Sequence, residues 1–264
     1  MKVEPLRIAQ ITDTHLYASA EGTLLGLNTR ECLDQVIQQV KQDSHFDLVV
    51  ASGDLAHDGS QAAYQCFREQ IGQLNVPIYC LPGNHDENAA IRDNLNDENF
   101  HCVHSKQIGG WQLVFLDSTV QGNDGGHLGA DELDALSQTL DRHTELPSII
   151  WLHHQPVPMG SRWLDTMAVD NPEDFFAITD RHPQLRAIVW GHVHQAFDQQ
   201  RNNVRLLASP STCLQFLPAS EDFAVDEAPP GYRWLELHPD GTLRTGVKRL
   251  ASIPGRIDLS ARGY

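Results

Sequence analysis

Short apolar runs recur along the chain, and each stops at a polar or glycine-bearing turn. They cover residues 6–11, 46–51, 78–81, 111–116, 148–152 and 187–190. Runs of this length, mostly apolar at successive positions rather than strictly alternating, predict buried strands. Between them, apolar positions return at helical spacing. Asn28 and Glu31 have the separation of a capping box, and Leu33, Val36, Ile37 and Val40 follow on one face. Tyr64, Phe67, Ile71 and Leu74 mark a second helix, stopped before Pro77. The first third therefore reads β-α-β-α-β, which predicts parallel strands joined by crossover helices.

Further along, residues 87–99 are polar, helical or irregular. A glycine-rich loop at 122–129 leads into a helix marked by Leu133, Leu136 and Leu140. Asn171 followed by Pro172 predicts a capped helix start, and Pro183 its end. Residues 204–208, 232–237 and 243–248 read as short strands of a late antiparallel region, the last two joined by a turn at 239–241. No repeat, low-complexity segment or linker interrupts the chain, so a single domain over 1–264 is expected.

The strand ends carry an unusual cargo. Residues 78–81 run into Pro82-Gly83-Asn84-His85-Asp86, an amide, an imidazole and a carboxylate on a tight turn. Asp13-Thr14-His15, Gly53-Asp54, His153-His154 and Gly191-His192-Val193-His194 occupy four other strand ends. One such place is ordinary loop composition; five point to a site.

Composition narrows the classes. With 264 residues and 41% hydrophobic content the chain can bury a full core. No apolar run is long enough to span a bilayer, and residues 1–5 carry no apolar signal region, which implies a cytoplasmic protein without membrane partners. The five scattered cysteines form no Cys-x-x-Cys pair, against a disulfide framework or a thiolate zinc site. A net charge of -16 argues against nucleic acid as a partner.

The ligand-type set mixes carboxylate, imidazole and amide oxygen without thiolate, which favours manganese, iron or zinc over a purely calcium-like or thiolate site. Asp13 with His15, and His192 with His194, are two apart; in extended chain both members of a pair face the same side. The residues suffice for two cations sharing one carboxylate. Two ions about 3.5–4 Å apart can hold a hydroxide and clamp an in-line phosphoryl displacement. Two divalent ions, Asp13, Asp54 and a bridging hydroxide sum to about +1, enough to attract a phosphodiester, and a neutral Asn84 preserves that charge.

In order, D-x-H, G-D, G-N-H-D, H and G-H-x-H resemble the motifs of the calcineurin-like metallophosphoesterases, spanning Asp13 to His194. Residues 12–16, 26–29, 210–216 and 230–233 extend the resemblance, nearly full length, to the bacterial class III cyclic-nucleotide phosphodiesterases. The resemblance implies a four-layer α/β/β/α sandwich, with 204–250 as short antiparallel strands completing the second sheet. It implies one metal on Asp13, His15, Asp54 and His194, and a second on Asp54, Asn84, His153 and His192, with Asp54 bridging. His153 is preferred over His154 because it comes first after its strand. The implied reaction is hydrolysis of 3′,5′-cyclic AMP to 5′-AMP by a metal-bound hydroxide. His85 would protonate the leaving oxygen, and Asn84, His85 and His194 would contact the small-molecule substrate; Asp58 or His57 would orient His85. The family offers no expectation about protein partners.

Rivals remain. A protein phosphatase would carry Asp-Arg-Gly where Asp58-Gly59-Ser60 stands, and a purple acid phosphatase a tyrosine in place of His57. A glycerophosphodiesterase or broad-specificity phosphodiesterase shares every metal motif. A metal-free binding scaffold, from another class, would have lost ligands, and none is lost here. Trp163 and Phe216 are candidates to stack on adenine, although packing is the commoner use of an aromatic.

Overall fold

The computed structural model describes residues 4–43 and 45–263. The chain starts with four parallel strands: β1 (Leu6–Ile11), β2 (Leu48–Ser52), β3 (Ile78–Leu81) and β4 (Phe100–His101). They are linked by helices α1 (Thr29–Asp43), α2 (Gln61–Ile71) and α3 (Asn88–Asn94). A second sheet then forms from β5 (Ser105–Ile108), β6 (Trp111–Phe115), β7 (Ser148–Trp151), β8 (Leu185–Trp190), β9 (Phe197–Arg201) and β10 (Val204–Ala208). Its helices are α4 (Ala130–Arg142), the short α5 (Arg162–Asp165) and α6 (Pro172–Thr179). Finally β11 (Gly231–Leu237) and β12 (Leu243–Arg249) return to the first sheet. The sheet orders are β12-β11-β1-β2-β3-β4 and β9-β10-β8-β7-β6-β5.

Alternation along each buried strand sorts the core into layers. Leu48 and Val50 face the other sheet, meeting Trp111, Leu113, Ile149, Trp151 and Val189. Val49 and Ala51, on the opposite face, pack against Leu33, Val36, Ile37, Tyr64 and Phe67 of α1 and α2. In the second sheet Ile150, Leu152, Ile188 and Trp190 turn outward to Leu136 and Leu140 of α4 and Phe175 of α6. The expected α/β/β/α sandwich follows.

The start of α1 obeys its sequence signal: the Glu31 N–H donates to Asn28 Oδ1 at 2.9 Å. Asn171 does not cap α6 in that way. Its amide instead clamps Leu128, accepting from the backbone N–H (3.0 Å) and donating to the carbonyl (2.9 Å), which ties the glycine-rich loop to the α6 entry. Pro172 does take the first helical position.

The C-terminal strands require a correction. Val204–Ala208 joins the second sheet but runs parallel to β8, with only β9 antiparallel to it. Gly231–Leu237 and Leu243–Arg249 belong to the first sheet, β11 lying antiparallel along β1 with Leu6 opposite Leu237 and Ile8 opposite Leu235. Pattern alone reads these segments as strands; the choice of sheet depends on which edge is free, and β1 has one.

Candidate metal centre

Because β1, β2 and β3 run parallel, as do β6, β7 and β8, their carboxyl ends gather at one edge of the sandwich. The residues just past those ends are Asp13, Asp54, Asn84, His153 and His192. Five of the ligand-type residues are not in extended backbone. Asp13, His15, Asp54, His192 and His194 all have positive φ, at 55°, 45°, 52°, 61° and 46°. Extended-strand alternation therefore does not explain why the paired residues converge; left-handed turns do. That conformation costs a non-glycine residue about 1–2 kcal/mol. Backbone bonds hold it: Asp13 N–H to Gly53 O (3.0 Å) and His15 N–H to Asp54 O (2.9 Å), while His192 N–H donates to the Asp13 carboxylate (3.0 Å).

Two nests result. In one, His15 Nε2 and His194 Nε2 approach to 3.2 Å, Asp13 Oδ1 lies 3.3 Å from His194 Nε2, and Asp54 Oδ2 lies 3.7 Å from His15 Nε2. In the other, His153 Nε2 is 3.2 Å from Asn84 Oδ1 and 3.3 Å from Asp54 Oδ2. Asp54 faces both. Carbonyl oxygens can only accept, so His153 Nδ1–H donates to Ser52 O (2.9 Å) and His194 Nδ1–H to Leu214 O (3.0 Å). Both imidazoles thereby turn Nε2 toward the cluster.

The donor set fits divalent cations. Among the described residues no lysine or arginine lies within ion-pair distance of Asp13 or Asp54, although both are fully buried. His192 Nε2 is buried with no hydrogen-bond partner among the described residues, and His153, His154 and His192 bring ligand atoms within 4.8 Å of one another. Burial pushes His15 and His192 well below the ordinary imidazole value, leaving them neutral and ready to ligate. Burial also opposes charge on His153, yet Asp54, then Asp13 and the Ser52 carbonyl, raise it to about 9. The cluster calls for positive charge at that point.

His154 Nδ1 lies 2.8 Å from Ser118 Oγ, while its Nε2 is buried with no hydrogen-bond partner among the described residues. His85 is anchored through its backbone N–H to Asp54 Oδ1 (2.9 Å), and its ring meets those of His15 (4.9 Å, edge-on) and His57 (4.6 Å, stacked), which also touch each other (5.3 Å). Asp58 is committed elsewhere, accepting N–H bonds from Ala18 (3.1 Å) and Ser60 (3.0 Å). Phe216 is buried, with its ring 4.2 Å from that of His194 and parallel to it within 10°, so it braces that imidazole. Trp163 lines the neighbouring cleft of about 280 Å³ together with Asn84, His85 and His192.

Sequence reasoning assigned no role to Asp86. Its carboxylate accepts N–H bonds from Leu55, Ala56 and Gly83 and the Tyr64 hydroxyl proton, at 2.9–3.1 Å, pinning the Asp54 loop to the Asn84 turn. Desolvation, then the Asp54 charge, lift this carboxyl to about 6. Its position beside His85 was the only signal available. Gly53 is equally constrained: a Cβ there would sit 2.3 Å from His153 Nδ1, at φ +95°. Gly53→Ala is expected to cost about 2–4 kcal/mol and to weaken metal uptake. Urea denaturation with and without Mn(II) measures both, and a loss below about 1 kcal/mol would show that the loop yields.

Two face-to-face sheets with buried carboxylates and imidazoles at their strand ends define a metal-dependent hydrolase. A family model described as calcineurin-like phosphoesterase matches residues 6–196, and the chain belongs to that family. A 3′,5′-cyclic adenosine monophosphate phosphodiesterase of Escherichia coli (strain K12) is 42% identical to it over 98% of this chain and 95% of that protein. One of Pseudomonas aeruginosa is 40% identical, over 97% and 94% respectively. Among solved structures, a dimetal phosphatase from Danio rerio superposes with a TM-score of 0.64 at 14% identity, covering 93% of this chain and 99% of that one. This last likeness concerns the fold alone.

Proposed function

We propose that the chain hydrolyses 3′,5′-cyclic AMP to 5′-AMP with two divalent cations, iron or manganese, held at the strand ends. The observation that carries this reading is a complete ligand-type set in a chain 40–42% identical, nearly end to end, to proteins of that activity. Asp13, His15, Asp54 and His194 would hold one cation; Asp54, Asn84, His153 and His192 the other. When bound, the cations supply Lewis-acid activation of the phosphodiester and of water.

The remaining chemistry belongs to side chains. Asn84 offers an oxygen without adding negative charge, and Asn84, His85 and His194 contact the phosphodiester. Water adds its oxygen to phosphorus, the P–O3′ bond breaks, and the imidazole of His85 delivers a proton to the departing 3′-oxygen. That proton is restored from the water consumed, so one water is used per 5′-AMP formed.

Loading the protein with Mn(II) or Fe(II) and following cyclic AMP by chromatography tests the reading. Metal-dependent 5′-AMP formation is expected, abolished by chelation. His85→Ala should retain its metal but lose about 10²–10⁴-fold in kcat. Turnover of bis(p-nitrophenyl) phosphate or a glycerophosphodiester without turnover of cyclic AMP would overturn the substrate assignment.

A further inference from the structure

Beyond β12 the chain does not stop at the first sheet. Leu250 N–H donates to Pro230 O (2.8 Å), and the chain then crosses to the helical layer of the second sheet, where Ile253 and Ile257 pack and Pro254 is buried. Asp258 N–H donates to Leu25 O at 2.9 Å. Gly26, at φ +86°, accepts the strap at close range: a Cβ there would lie 2.6 Å from Arg256 O. The Gly26-Leu27-Asn28-Thr29 stretch thus has a docking role that its chemistry did not suggest.

The last described residues of the strap, Arg262 and Gly263, line the cleft beside the metal centre. Asn84, His85 and His192 line one part of that cleft, and Trp163, Met167 and Phe223 another. Arg262 joins them as the only cation among the described lining residues, and Asp124 also borders the space. Arg262 has no ion-pair partner among the described residues. None of Asp13, Asp54, His153 or His194 lines this cleft, so the phosphodiester belongs to the His85 side and the apolar remainder suits a nucleoside.

We infer that Arg262, carried to the cleft by the docked strap, binds the nucleoside portion of the cyclic nucleotide and selects it over simpler diesters. The inference rests on the cyclic-nucleotide reading above. A guanidinium offers five N–H donors and a flat face, matching the ring nitrogens and the π-surface of a purine. A lysine supplies the charge without the plane.

The test compares kcat/KM for cyclic AMP with kcat/KM for bis(p-nitrophenyl) phosphate in the Mn(II)-loaded protein. Arg262→Ala is expected to lower the ratio about tenfold, mainly through KM for cyclic AMP. Arg262→Lys should recover only part of it, and Gly26→Ala, which undocks the strap, should move the ratio the same way. Metal content equal to that of the unaltered protein reports an intact centre in each variant. A ratio unchanged in Arg262→Ala, including an equal loss on both substrates, overturns the inference and leaves the cyclic AMP assignment standing. If the unaltered protein cleaves only the aryl diester, the substrate assignment fails first and this inference falls with it.

Discussion

Asp54→Asn is expected to strip the centre of both cations and to lower kcat by about 10³-fold or more. Asp54 Oδ2 lies 3.3 Å from His153 Nε2 and 3.7 Å from His15 Nε2, so one carboxylate serves both nests. Burial works against its charge, but His153, with His85 and His15, holds the carboxyl well below the usual range. Asparagine keeps the shape and removes that charge. The loss of Lewis-acid assistance is worth several kcal/mol, hence the factor of about 10³. Two readouts separate this from general damage. Metal analysis should show both ions missing. Thermal melts should lose the metal-dependent stabilisation, which for one site at a hundredfold excess over Kd amounts to about 2.7 kcal/mol. A variant that still binds two ions and works within tenfold of the original would move the bridging role to another group.

The second large effect is structural. Arg233→Met is expected to destabilise the protein by about 3–5 kcal/mol. Arg233 is 2% exposed and reaches from β11 across to the second sheet. Its guanidinium donates to Phe197 O (3.0 Å), Ala208 O (2.7 Å), Ser209 Oγ (3.2 Å) and Thr245 Oγ1 (3.2 Å). Ser209 in turn donates to Gln10, whose amide donates to Ser52 Oγ (2.8 Å) and Trp190 O (3.2 Å). Burial lowers the arginine to about 10, with Asp198 opposing the drop, so carrying the charge has a cost. Methionine fills part of the volume but abandons four acceptors between the sheets. Urea denaturation measures the difference; a change below about 1 kcal/mol would mean that water or repacking satisfies those acceptors.

Most of the sandwich was legible because buried strands and helical stripes write their burial directly into the spacing of apolar residues. Residues 6–11, 78–81 and 204–208 coincide with observed strands. The strands that pattern missed are short or lie at an edge, Phe100–His101 being only two residues long. Phe197–Arg201 and Ser105–Ile108 are edge strands, exposed along much of their length, so the sequence between them and solvent is polar. Asn171 misled locally, because the same amide that caps a helix also clamps a loop, and only the distant Leu128 decides which.

The candidate centre divides the same way. Its side-chain types were determined by the sequence: metal chemistry demands carboxylates, imidazoles and an amide, and parallel strands deliver them to one edge. What tertiary structure decided was how they aim. Left-handed turns at Asp13, His15, Asp54, His192 and His194 depend on bonds to loops tens or hundreds of residues away. The facing of His153 toward Asn84 and of His154 toward Ser118 rests on partners that no local spacing reveals. Likewise, β11 and β12 were recognisable as strands, but the place of β11 beside β1, with β12 outside it, was set by an open edge in another sheet. Local sequence determines burial and chemistry because these act residue by residue; direction and partnership require the rest of the chain to be in place.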